Sequence, residues 1–271
     1  MTTISELYKN RFGLNKEIGK DMESDDTVGA ILHRRSLRRY KDEPVPQELL
    51  EVLLACAQSA PAKSDLQQYS IVVVEDPKAR EVIGGWEGAA PVFLMFCADS
   101  RRLRRLAEIR GHEFENDNVD TFMNACIDAA LAMQSFIIAA ESVGLGCCPI
   151  SQVRNKIEAW CEALNLPDGV FPISGLCVGW PSTPGYISMR LPPSVVVHRD
   201  KYDDSNLEAE VDAYDKRRHA IYQIPPEKQR LTERYGALDY CPWSENATRQ
   251  LSEPERAGFK AFLNSHGFAL K

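Results

Sequence analysis

Two glycine-built phosphate cradles are missing: neither GxGxxG nor GxxxxGK[ST] occurs in the 271 residues, so a Rossmann site or a P-loop would lack its gripping element. The eight cysteines include no CxxC pair and no zinc-ligand spacing, so no metal is assigned. Most of them sit in apolar runs such as FLMFCAD and SGLCVGW, which suits free buried thiols in a reducing cytoplasm. Histidine is sparse and dispersed (His33, His112, His198, His219, His266), and no general base or other catalytic side chain is nominated. Positive charge is in deficit: 32 basic residues against 39 acidic ones give −7, which argues against a general nucleic-acid binder. The longest apolar stretch, around 125–140, is broken by Asp128 and Gln134–Ser135, and MTTISELYKN lacks the apolar heart of a signal peptide, so no membrane span is expected.

Against that deficit, HRRSLRRY at 33–40 places Arg34, Arg35, Arg38 and Arg39 within six residues. Three readings are open. The segment is a solvated basic helix end, a kinase-type phosphorylation site, or a grip for an anion. Arginine suits the third because its planar fork stays charged and pairs with oxyanions bidentately.

Periodicity organises the rest. Residues 1–26 read as a polar amphipathic lead-in. TVGAILHRR reads as a short helix with Thr27 as N-cap. A helix is expected from Pro46 to Pro61 on the spacing of Leu49, Leu50, Leu53 and Leu54. YSIVVVED, APVFLMFCAD, GLGCCPI and VFPISGLCVGWP read as strands, the first, second and last of them buried. PKAREVIGG reads as a helical turn or two, closed by Gly84–Gly85. Residues 118–143 form the strongest helix, with Val119, Phe122, Met123, Cys126, Ala130, Met133, Ile137 and Ala140 recurring every three or four residues. SQVRNKIEAWCEALNL reads as an amphipathic helix whose start Ser151 caps. After Pro193 strand signals fade and helices follow. The pattern α-β-α-β-α-α-β-α-β, then helices, predicts a sheet covered on both faces.

Three further stretches matter besides the basic one. SAPAKSDLQQYSIVVV (59–74) is a connection between a helix and a strand. ESVGLGCCPISQVRNKIEAW (141–160) contains a turn whose backbone N–H groups can face a ligand. GLCVGWPSTPGYISMRLPPSVVVH carries a lone Arg190 in a Pro-rich exit from a strand. In this order the four stretches resemble the nitroreductase family of flavin enzymes, especially its larger NADPH-preferring branch. That family's R-S-x-R-x-[FY] element is matched by Arg35, Ser36, Leu37, Arg38 and Tyr40, its serine-rich loop by KSDLQQYSIV, its glycine turn by GLGCCPI, and its last element by GLCVGWPSTPGYISMRLP. The resemblance covers roughly residues 28–200, with a weaker match along the tail.

The resemblance implies an α+β, nitroreductase-like fold with a central mixed sheet flanked by helices, an intertwined homodimer and a C-terminal extension. Residues 27–200 would bind flavin mononucleotide (FMN), and 201–271 would wrap the partner. Arg34, Arg35 and Ser36 would hold the FMN phosphate and ribityl end, with Arg190 closing the clamp. Arg38 would approach the flavin N1/O2 edge. Ser64 and Gln67 would line the loop beside the cofactor. Ile150, Ser151 and Gln152 would pass under the ring. NADPH or NADH would give two electrons, and small aromatic acceptors, nitroaromatics or quinones, would take them in a ping-pong cycle. Flavin reduction, reductive dehalogenation and ene-type reduction are alternatives on the same cofactor, and a non-enzymatic regulatory protein gripping an acidic partner is an alternative without one. The sequence departs from the family at Ala62, which cannot donate from its side chain, at Gln152 in place of a glycine, at Ser188 where a second basic residue is usual, and in a longer stretch around Tyr235–Trp243.

Overall fold

In a computed structural model of the chain, residues 3–16 and 26–271 are described. Most of the second half of the expected lead-in therefore lies outside the described residues. The elements run α1 (Ile4–Phe12), α2 (Asp26–His33), α3 (Gln47–Gln58), β1 (Tyr69–Val73), α4 (Pro77–Glu81), α5 (Gly85–Gly88), β2 (Val92–Asp99), α6 (Arg101–Arg110), α7 (Val119–Ser142), β3 (Gly146–Ile150), α8 (Ile157–Ala163), β4 (Val170–Gly179), α9 (Pro193–Val196), α10 (Leu207–Ile221), α11 (Thr232–Tyr235), α12 (Trp243–Leu251) and α13 (Phe259–Ser265). They divide between two units: Arg35–Tyr186 with Arg256–Lys271, and Met1–Arg34 with Ile187–Glu255. The expected boundaries at 26/27 and 200/201 both fall inside the second of these.

The first unit is built on a four-stranded sheet in the order β1-β2-β4-β3. Strand β2 is apolar up to its last residue and buried throughout because both of its faces are covered. Val92, Leu94 and Phe96 enter one core with Leu50 and Leu53 of α3 and Ala129, Ala132 and Phe136 of α7. Phe93, Met95 and Cys97 enter the opposite core with Val153 and Trp160. There the Trp160 ring stacks on Phe93, with centroids 5.6 Å apart. Gly175 of β4 permits this closeness, since a Cβ there would meet Phe93 Cζ at 2.6 Å.

Every strand pairing is antiparallel, so the sheet is not mixed as expected. Strands β2 and β3 run the same way and are joined through α6 and α7. However, β4 slots between them, so the two parallel strands never pair.

Two local expectations shift. Helix α2 already includes Asp26, so Thr27 lies inside it rather than capping it. Ser151 caps no α-helix: Ser151–Lys156 form a 3-10 turn without a side-chain cap. Lys156, at φ −131° and ψ 48°, separates that turn from α8. At the end of the chain Phe259, Phe262 and Phe268 surround Phe171 with centroids 5.0 to 6.4 Å away.

In the second unit α1 packs on α2, and α10 packs on α9 and α12. Tyr214 of α10 is buried and donates to the Met189 carbonyl at 3.1 Å. Asp215 is buried too and accepts from the Ser244 N–H at 3.2 Å and from its hydroxyl.

Candidate functional site

The basic stretch is not a helix end beyond His33. Residues 34–39 belong to no helix or strand, and the residue that holds them is Leu37. It is 6% exposed. Its N–H donates to the Cys147 carbonyl of β3 at 3.1 Å. A Cβ on Gly146 would meet its Cδ1 at 2.9 Å, and one on Gly185 would meet its Cδ2 at 2.8 Å. Two glycines thus make the slot for one leucine. Tyr40 locks the far end: its hydroxyl lies 2.7 Å from the Leu37 carbonyl and 3.1 Å from that of Cys177. Burial pushes the phenol pKa far up, so it stays a proton donor. Tyr40 also bridges to Pro181, and the Lys41 N–H donates to the Trp180 carbonyl at 2.8 Å. Three of the four quoted stretches therefore meet physically at this joint. With Leu37 turned inward, Arg38 is exposed and Ser36 half-buried. The Arg35 Nε donates to the Pro184 carbonyl.

The fourth stretch is a strained loop. Ser64, Asp65 and Gln67 take left-handed φ values of 50°, 56° and 51°, costly for residues with a Cβ. Asp128 of α7, at 1% exposure, holds both ends: one carboxylate oxygen accepts from the Lys63 N–H and the other from the Gln68 N–H, each at 3.0 Å. Arg102 of α6 adds a second anchor, donating to the Gln67 carbonyl at 2.8 Å and to the Tyr69 carbonyl at 2.9 Å. The loop is pinned from beneath, and Ser64 and Gln67 are left exposed on top. Ile150 is buried at the end of β3, while Ser151 and Gln152 are exposed at the start of the 3-10 turn. By position, the leading N–H groups of such a turn have no partner within it.

Arg34 and Arg190 belong to the other unit. There the buried Arg11 of α1 donates to the carbonyls of Leu32 (2.9 Å), Arg34 and Ser188 (3.1 Å). The Arg190 N–H donates to the Arg11 carbonyl at 2.8 Å. The two segments expected to form a clamp are thus tied to one residue.

Arg38 lines a cavity of about 760 Å³ with Tyr40, Lys41, Glu75 and Trp86. Gln67 lines a different hollow of about 480 Å³ with Tyr69, Ser70 and Arg102. Arg190 lines one of about 490 Å³ in its own unit, with Phe12, Tyr214, Arg218 and Trp243.

No local motif marks Leu37, Asp128, Arg102 or Arg11 as a site residue. Asp128 carried a signal, as the acid inside the most apolar helix. Arg11 carried none.

One arrangement mimics a nucleophilic triad and is not one. His266 lies 3.7 Å from the Cys161 thiol and 3.6 Å from Asp168. Its Nε2 is also 3.0 Å from the Val170 carbonyl, which can only accept, so Nε2 carries a proton and cannot take one from sulfur. Burial pushes the thiol up to about 11.

Residues 31–94 and 85–180 match the nitroreductase family, and 188–271 match the C-terminal domain of that family. An enzyme named FMN reductase [NAD(P)H] from Bacillus subtilis is 36% identical over 91% of this chain and 99% of its own. Another from that organism, named FMN reductase (NADPH), is 32% identical over 90% and 98%. The solved structure of a B. subtilis nitroreductase, 32% identical, superposes with a TM-score of 0.81 over 90% of this chain and all of that one. The chain belongs to the nitroreductase family, with that family's α+β fold.

Proposed function

We propose that the chain is an FMN-dependent oxidoreductase that draws electrons from NADPH or NADH and passes them to small aromatic acceptors, as a cytoplasmic homodimer. The observation that carries this reading is the joint at Leu37. It ties the arginine stretch to β3 and β4 within a fold shared, over nine-tenths of the chain, with enzymes named FMN reductases. Family membership also removes the support for a non-enzymatic regulator.

The donor set fits FMN. The guanidinium groups of Arg38 and Arg190 are exposed and donate to no other group among the described residues. Arg34, Arg35, Ser36 and Arg190 would hold the phosphate and ribityl end, where forked cations suit a dianion. Arg38 would face the N1/O2 edge. Ser64 and Gln67 would flank the cofactor from the pinned loop. Ile150, Ser151 and Gln152 would pass under the ring, with backbone N–H groups directed at it. When bound, FMN supplies the two-electron chemistry. The protein's part is to orient it and to set fixed positive charge where negative charge develops.

Dimerisation is supported by α7. Val119, Met123, Ile127 and Leu131 recur every four residues and are 54%, 50%, 46% and 38% exposed, an apolar stripe that a second copy would cover. A cytoplasmic location is supported by eight cysteines, none in a disulfide. Among acceptors, free flavin is favoured beside quinones and nitroaromatics, because two of the relatives carry that activity in their names.

The test pairs two variants. Arg38→Ala should slow flavin reduction by NADPH at least roughly tenfold with little change in FMN affinity, and Arg190→Ala should do the reverse. Stopped-flow absorbance and FMN titration measure both, and equal effects in the two variants would refute this division. Failure to turn over flavin, quinone and nitroaromatic acceptors alike would remove the activity.

A further inference from the structure

Helix α1 precedes the family match, which begins at residue 31. It is nonetheless fully equipped. Thr3 and Glu6 form a reciprocal capping box, and Gly13 ends the helix in a left-handed conformation at φ 66°. That glycine sits against Met189, whose Cε a Cβ would meet at 2.7 Å. The helix delivers Arg11, 8% exposed, into a cage of carbonyl oxygens. Its Nη2 donates to Leu32 at 2.9 Å and to Arg34, its Nε to Leu32 at 3.3 Å, and its Nη1 to Ser188 at 3.1 Å. Its own carbonyl accepts from the Arg190 N–H at 2.8 Å. Leu32 lies in the last turn of α2, where the helix dipole favours a cation. The three carbonyls are met by three separate nitrogens of a planar fork, whereas the three N–H bonds of an ammonium radiate from a single atom.

We infer that Arg11 is a positioning residue, and that α1 is an element by which this chain registers Arg34 and Arg190 as one phosphate clamp. The inference rests on placing those two arginines at the FMN phosphate. Arg11 itself is buried under the segments it ties and touches no ligand. Its loss would let Arg34 and Arg190 drift apart. The isoalloxazine contacts, made by other residues, would remain.

Riboflavin, the same ring system without the phosphate, separates this role from a merely structural one. The full-length protein, stripped of flavin, is titrated with FMN and with riboflavin. Arg11→Met should raise the FMN Kd about tenfold, as expected when buried carbonyls lose their donor and a clamp its register, and leave the riboflavin Kd unchanged. Arg190→Ala should show the same selectivity, and Arg11→Lys a smaller loss of the same kind. If Arg190→Ala is selective and Arg11→Met is not, because it weakens both flavins equally or neither, Arg11 does not position the clamp and the inference is overturned while the clamp stands. If Arg190→Ala shows no selectivity, the clamp falls and the inference with it. Should Arg11→Met not fold, Arg11→Lys decides: selective loss supports the inference, and no selective loss overturns it.

Discussion

A carboxylate at 1% exposure inside a helix as apolar as α7 is costly unless hydrogen-bonded, and Asp128 is bonded twice by backbone. Substituting Asn keeps the shape but turns an NH2 group toward a backbone N–H. Asp128→Asn is therefore expected to cost about 1–3 kcal/mol in urea denaturation. Amide exchange at Lys63 and Gln68 should accelerate while exchange in β2 stays slow, and unchanged protection at both amides would show that the loop is held some other way. At this scale the sequence was partly readable. Arg38 and its neighbours announced themselves by charge against an acidic background. Asp128 was visible as an interruption, but which loop it serves depends on a pairing across about sixty residues that no local pattern records. Arg11 resembles any other cation of a polar helix until its burial is known.

Among elements, the strands and long helices were legible because each carries a period or a continuous apolar run. β2, buried on both faces, and α7, with its Asn118 cap accepting from the Thr121 N–H at 2.9 Å, are examples. The 3-10 turn at Ser151–Lys156 was not, since a break made by the φ of Lys156 leaves the apolar spacing intact. The Leu37 slot belongs to this scale as well, because it joins the arginine stretch to β3. Gly146→Ala would bring a methyl within 2.9 Å of Leu37 Cδ1 and 3.0 Å of its Cβ. Such overpacking costs about 1–3 kcal/mol. The expected outcome is a lower Tm together with weaker FMN retention. Retention that survives a displaced Leu37 would mean that the joint does not serve the cofactor.

For the molecule as a whole, the strand order was out of reach. Hydrophobic patterns say that strands exist, not that β4 inserts between β2 and β3 and so excludes parallel pairing. The division into two units was equally hidden, because residues 1–34 and 187–255 come together across the chain. The proposed assembly through the exposed stripe on α7 is tested at this scale. Met123→Glu combined with Ile127→Glu places two charges in the middle of that stripe. Burying unpaired charge is prohibitive, so the double variant is expected to sediment as a monomer and the parent as the proposed dimer. A variant that remains dimeric would move the interface elsewhere.

The most direct measurement is an absorbance titration of the purified protein with FMN, followed by anaerobic addition of NADPH or NADH. The expected result is a yellow protein that binds one FMN per chain and is bleached by one equivalent of reduced nicotinamide. A colourless protein that takes up no added FMN would contradict the assignment.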